Sequence, residues 1–284
     1  MKKYISLALV FVVLLFVAAM IIRRSNDSEV LYDGFVQPIE HNDSHVSNNN
    51  VGQQLLGLEI PCYVFVADEQ IMVKRGFAVS FNSNTKLPNW VAYELLADET
   101  DGPWTRKGLR FVPDPDCLGE QADNEDFRNS GYSRGHLAPA GDMKWDSLAM
   151  LESFYYTNCM PQETKFNNGK WNQLEEKARR LAKQYGSVFI VCGPAFLSTD
   201  TLRIGHNGVA VSDACFKALL IPNKDTYSAI AFLMRNGGEE RSLRECAMTV
   251  DELEQILCID LFCNLPKRTQ KTVESIVNWA DWGL

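Results

Sequence analysis

From Leu55 to the C-terminus the chain alternates apolar runs with polar, turn-rich breaks. "CYVFVADE" (62–69), "FAVSFNSN" (77–84) and "WVAYELLA" (90–97) have the length and β-branched or aromatic content of strands. They are broken by "KRG" and "NSNTKLPN". A looped, acidic section containing "PDPD" comes next, from Asp98 to Ser133. The period then changes: over Asn167 to Gln184, with Tyr185 closing the series, Trp171, Leu174, Ala178, Leu181 and Tyr185 fall on one stripe at helical spacing. Asn167 is suited to cap that helix and Gly186 to stop it. Strand-length runs resume with "SVFIVCGPAF", "ACFKALLIP" and "YSAIAFLMR". A Thr-x-x-Glu capping box, Thr249 to Glu252, then opens a second helix, "TVDELEQIL". The pattern predicts an α+β fold: a central antiparallel sheet with flanking helices. No fixed-period repeat interrupts it.

Two segments precede this body. Lys2 and Lys3 lead into an apolar run from Ile5 to Ile22, closed by Arg23 and Arg24. Its length is enough to span a bilayer, while Val17-Ala18-Ala19 resembles a signal-peptidase site, so residues 1–24 read as an uncleaved anchor or a cleavable signal. The flanking charges favour export of the rest of the chain, membrane-tethered or secreted. Residues 25–54, rich in Asn, Ser and Asp, read as a flexible polar tether. Residues 55–284 are the folded domain.

The 46% hydrophobic and 23% charged fractions are ordinary for a globular chain of 284 residues. A net charge of −8 argues against a dedicated nucleic-acid packager, though not against an enzyme with a local basic groove. Eight cysteines would suit four disulfides in an exported protein, but no CxxC pair suggests structural zinc. Cys159 and Cys192, set in apolar runs, read as buried small hydrophobes.

Of four histidines, His41 and His45 lie in the tether, and His206 sits in "GHNG", read as a turn between strands. His136 stands in "YSRGHLAPAGD", near a phosphate-sized cation, Arg134, and beside Gly135, which permits close approach of backbone or substrate. Asn167 and Glu175 lie eight residues apart on the helix, near one face; an amide oxygen and a carboxylate there suit Mg²⁺. The alternative is a plain helix cap and a solvated acid. "KARR" at 177–180 reads as a solvated helix face in preference to the edge of a phosphate-binding surface, Trp171 as core, and Trp90 as packed within its strand.

"YSRGHLAPAGDM", "TNCMPQ" and "FNNGKWNQLE", in that order and spacing, resemble the DNA/RNA non-specific endonuclease family, whose fold carries a ββα-metal finger. The resemblance implies hydrolysis of DNA and RNA with little sequence preference, using Mg²⁺ or Mn²⁺. It implies His136 as general base and Asn167 as metal ligand. Glu175 would face the metal's hydration shell, Asn158 would support the active-site loop, and Arg134 would contact phosphate. The family's upstream transition-state arginine corresponds to Arg106 or Arg110, and Arg106 is favoured. Dimerisation is left open. Where the family commonly has Asp at the head of the motif, this chain has Ser133. Ser hydrogen-bonds but carries no charge, which predicts weaker activity or, alternatively, a binding module that no longer cuts.

Overall fold

The computed structural model describes residues 57–62 and 69–284. The anchor or signal segment expected over 1–24 and the tether over 25–54 lie outside them, as do residues 63–68 of the first expected strand. The strands are β1 (Glu69–Val73), β2 (Ala78–Asn82), β3 (Leu87–Leu96), β4 (Tyr132–His136), β5 (Cys159–Glu163), β6 (Ser187–Ala195), β7 (Leu202–Ile204), β8 (Val209–Val211), β9 (Ala214–Asn223), β10 (Thr226–Arg235) and β11 (Ala247–Met248). Seven of them form one antiparallel sheet in the order β1-β2-β3-β6-β9-β10-β11. β4 and β5 pair by themselves, and β7–β8 is a hairpin whose turn, 205–208, is the "GHNG" stretch.

The central strands read as unbroken apolar runs because both faces of the sheet are covered. Val91, Tyr93, Ile190, Cys192, Leu219 and Phe232 point into one core with the long helix. Trp90, Ala92, Val191, Phe216, Leu220 and Ala231 point into a second, beneath the C-terminal helices. Successive strand side chains alternate between faces, so each run supplies both cores. β4, β5 and the helix after them form a ββα unit on the first face, and this unit carries the site.

That helix begins earlier than its apolar stripe suggests. An α-helical turn, Thr164–Phe166, leads into a π-helical turn, Asn167–Trp171, and then the α-helix Asn172–Tyr185. The Glu163 side chain accepts from Phe166 N at 2.8 Å and so does the capping expected of Asn167. Asn167 has helical backbone angles and no capping bond. Its amide is therefore released from a structural duty. Gly186, at φ +93°, ends the helix as expected. The second helix, Val250–Leu257, has the capping box read at Thr249 and Glu252.

One disulfide forms, Cys62–Cys263, and the other six cysteines are free, with Cys159 and Cys192 buried. Cys159, Cys192, Cys215 and Cys246 are instead small apolar side chains of the core. The bridge is reinforced: Cys62 N donates to Asp260 O at 2.8 Å, and Asn264 Nδ2 to Gly57 O at 2.7 Å. It closes a separation of 201 residues. Reduction is expected to remove about 2–4 kcal/mol of unfolding free energy, read as a lower urea midpoint for the natural chain with dithiothreitol than without.

Candidate active site

His136 ends β4, and its backbone neighbours are held from every side. Trp171 Nε1 donates to His136 O at 3.2 Å, and Leu137 N to Asn158 O at 3.1 Å. The Asn158 side chain, fully buried, accepts from Ala138 N at 2.9 Å and donates to Ala138 O and Ser153 O, each at 2.8 Å. Asn158 does not line the cleft; it fixes the chain that leaves His136. Gly135 has a different reason from the one expected. A Cβ there would lie 2.0 Å from Gln162 Oε1, so glycine makes room for a side chain of β5 and not for a ligand.

The imidazole packs between Phe111, 4.7 Å away, and Phe154, edge-on at 4.8 Å. Its Nε2 is buried without a hydrogen-bond partner. Burial, then the nearby Arg106 guanidinium, hold the pKa down at about 3, so the ring is neutral at physiological pH. Unfolded, it titrates near its ordinary 6.5. Between these values the unfolded chain binds the proton more readily, so this ring's contribution to stability is lost as pH falls from about 6.5 towards 3. In EDTA, the melting temperature of the natural chain is expected to fall more steeply over that interval than that of His136→Asn.

His136, Arg134, Arg106, Asn167 and Glu175 all line one cleft of about 600 Å³. Arg106 lies over the Phe154 ring at 5.6 Å, whereas Arg110 is exposed and does not line the cleft. Arg134 lies over Phe127 at 4.9 Å, and its Nη2 donates to the backbone and side-chain oxygens of Asn124. Four cations (Arg106, Arg134, Lys144, Arg179) and one carboxylate (Glu175) border the cavity. The protein is acidic overall, but this cleft is basic.

A wider helical turn rotates less per residue, so the π-helical turn brings Asn167 and Glu175 closer to alignment than regular helix would. Neither side chain has a hydrogen-bond partner among the described residues. Burial raises Glu175 to about 7; Lys217 and Arg179 oppose the rise, and Asp142 adds to it. A carboxylate so placed gains from a cation. An amide oxygen and a carboxylate, both free of protein partners, fit a hard divalent ion that keeps most of its waters.

Beneath the cleft lies a polar layer that the hydrophobic pattern conceals. Arg179 Nη1 donates to Asp142 Oδ1 at 2.7 Å, and Tyr93 Oη donates to Asp142 Oδ2 at 2.9 Å. Lys217, fully buried in β9, sits 4.6 Å from the Trp171 ring and 3.5 Å from Leu137 O. "KARR" is therefore not a uniform solvated face. Arg180 is solvated, while Arg179 turns inward to a buried aspartate and the cavity. The lone charged residue in "ACFKALLIP" is the one sequence signal for Lys217.

Ser133 faces the opposite side of the ribbon from Arg134 and His136, as its bonding shows. Its hydroxyl shares a hydrogen bond of 2.8 Å with Thr164 Oγ1, and it does not line the cleft.

The model of the DNA/RNA non-specific endonuclease family matches residues 61–268. The chain belongs to that family. Family members are metal-dependent nucleases. Among relatives of this chain, mitochondrial nuclease EXOG of Danio rerio is 35% identical over 205 residues, covering 67% of this chain and 60% of that protein. Human mitochondrial endonuclease G is 32% identical over 162 residues, covering 54% of each. The matched region thus spans about 60% of the length of the EXOG relatives. A chain in the crystal structure of an EndoG/EndoGI complex superposes with TM-score 0.69 at 24% identity, covering 78% of this chain and 96% of that one; this likeness establishes the fold. The relatives also correct one expectation. EXOG and endonuclease G are mitochondrial nucleases, so the exported, membrane-anchored location is not supported; among the described residues no helix is long and apolar enough to cross a membrane.

Proposed function

We propose that residues 55–284 form a divalent-cation-dependent endonuclease that hydrolyses phosphodiester bonds of DNA and RNA with little sequence preference. The observation that carries this reading is the convergence of a neutral histidine, two arginines and the unpartnered Asn167 and Glu175 on one basic cleft. His136, neutral at physiological pH, takes the proton from the attacking water. Arg106 and Arg134 meet the phosphate oxygens, and their attraction strengthens as negative charge builds in the transition state. Asn167 would hold the cation, Mg²⁺ or Mn²⁺, and Glu175 would face the waters that it keeps. When bound, the ion would supply charge neutralisation at the scissile phosphate. Asn158 and Trp171 act at one remove, fixing the backbone that presents the imidazole. None of these groups reads a base edge, which accounts for weak sequence preference.

The test incubates the full chain with supercoiled plasmid and with total RNA, in Mg²⁺, in Mn²⁺ and in EDTA. Degradation of both substrates with a cation and of neither in EDTA is expected, with Asn167→Ala slower by about 10–100-fold. Intact substrates in both cations, from protein that melts cooperatively, would overturn the reading. A Ser133→Asp arm addresses the departure from the family motif. Ser133 points away from the cleft and is bonded to Thr164, so restoring the acid is expected to leave the rates unchanged. A large gain would instead mark the natural chain as catalytically weakened.

A further inference from the structure

On the sheet face opposite the cleft, the helices Val250–Leu257 and Lys267–Glu274 cover the second core through Val250, Leu253 and Val273. The turn between them carries Cys263 and its disulfide to Cys62. At the solvent edge of this layer, Asp251 and Glu254 on the first helix and Glu274 at the end of the second converge. One carboxylate oxygen from each lies within 4.8 Å of the other two. Exposed acids often gather without consequence, but Glu274 is only 3% exposed, and its Oε1 has no hydrogen-bond partner. A buried carboxylate oxygen set against two other carboxylates and answered by no donor is an unfavourable arrangement for the protein alone.

The surroundings compensate it only in part: the Gln270 side chain favours the Glu274 carboxylate, as the smallest of the influences on it. Glu254 Oε1 accepts from Leu261 N at 2.7 Å. Asp260, which adds to the negative field, is engaged by Gln270 Nε2 at 2.6 Å. Lys267 reaches Asp260 Oδ2 only at 3.9 Å, with its side chain largely exposed, and makes no ion pair with the three carboxylates. Burial, then the mutual repulsion of these acids, raises Glu254 to about 7 and Glu274 to about 8.

We propose that Asp251, Glu254 and Glu274 form a second divalent-cation site, separate from the cleft, that takes a hard, oxygen-preferring ion of the calcium class and clamps the two C-terminal helices together. Ligand type selects the ion. Three carboxylates supplied by the protein suit Ca²⁺, whereas Mg²⁺ keeps several waters and is seldom held in an all-protein cage. The three oxygens are close enough to converge on one ion. Asp251 and Glu254 are partly exposed, leaving an approach for the ion and room for the waters that complete its shell. The site's consequence is structural: it adds an ionic clasp at one end of a helix pair whose connecting turn is already held by a disulfide.

The experiment titrates the EDTA-stripped full chain with CaCl₂ at pH 7.5, by calorimetry and by thermal melting. To remove the cleft's candidate ligands from the reading, the titration is repeated in an Asn167→Ala, Glu175→Gln background. Saturable Ca²⁺ binding at one ion per chain in that background is expected, with a rise in melting temperature. Adding Glu274→Gln is expected to weaken binding by at least tenfold and to abolish the thermal response. Gln is nearly isosteric and uncharged, so the cation-free Glu274→Gln variant should melt at or above its parent, which separates loss of the site from loss of the fold. Asp251→Asn, at a partly exposed position, is a second variant that should lose the response. Absence of binding, a Ca²⁺ response that survives Glu274→Gln, or stabilisation by Mg²⁺ but not Ca²⁺ would each overturn the assignment.

Discussion

His136→Ala is expected to lower kcat on duplex DNA and on RNA by roughly 10²–10⁴-fold, the range that a positioned general base contributes. His136 is the only histidine bordering the cleft among the described residues, and burial between Phe111 and Phe154 keeps it in the proton-accepting form. Truncation removes the acceptor while leaving the backbone clasp intact, because Trp171 and Asn158 bond to main-chain atoms of residues 136–138. The variant should therefore retain the near-ultraviolet circular dichroism of the natural chain and bind DNA in Ca²⁺ with similar affinity. Steady-state rates on plasmid and RNA check the claim. Residual activity within tenfold of the natural chain would mean that another group accepts the proton.

The largest expected effect on stability is at Trp171. Its side chain is fully buried, 5.9 Å from the Phe166 ring, with the Lys217 ammonium 4.6 Å from its centroid and its N–H on His136 O. Trp171→Ala opens a large cavity beneath the ββα unit and should cost about 3–5 kcal/mol of unfolding free energy. It also leaves a buried carbonyl unanswered and removes the aromatic face that accommodates the Lys217 charge. Trp171→Phe keeps most of the packing but loses the donor, and a cost of about 1–3 kcal/mol is expected. Urea unfolding of the three proteins measures both figures. Similar midpoints for the natural chain and Trp171→Ala would show that the site rests on other contacts.

These two residues show how differently parts of the protein declare themselves. Trp171 is legible because it falls on a helical stripe, and a stripe must face a core. His136 is legible because it is the histidine inside a specific, ordered set of motifs. Arg179 is not, since a cation in "KARR" looks solvated until the fold brings Asp142, 37 residues away, beneath it. Gly135 suggests room for a ligand, whereas the room belongs to Gln162 on the partner strand. The start of the long helix is misplaced by sequence because Asn167 is a good capping residue by type, yet Glu163 takes that role one turn earlier.

The amino-acid order by itself determined the α+β class, the capping box at Thr249, the ordered motifs that mark the family and the residues suited to its chemistry. These arise from local rules: side-chain period, capping chemistry and motif spacing operate over a few residues. The tertiary structure alone decided which of those residues share a cavity, that Arg106 rather than Arg110 borders it, and that a lysine and an aspartate lie buried beneath. It also decided that a protein of net charge −8 presents a basic cleft. Such properties depend on burial and on the field of groups distant in sequence, and both come into being only when the two cores close around the sheet.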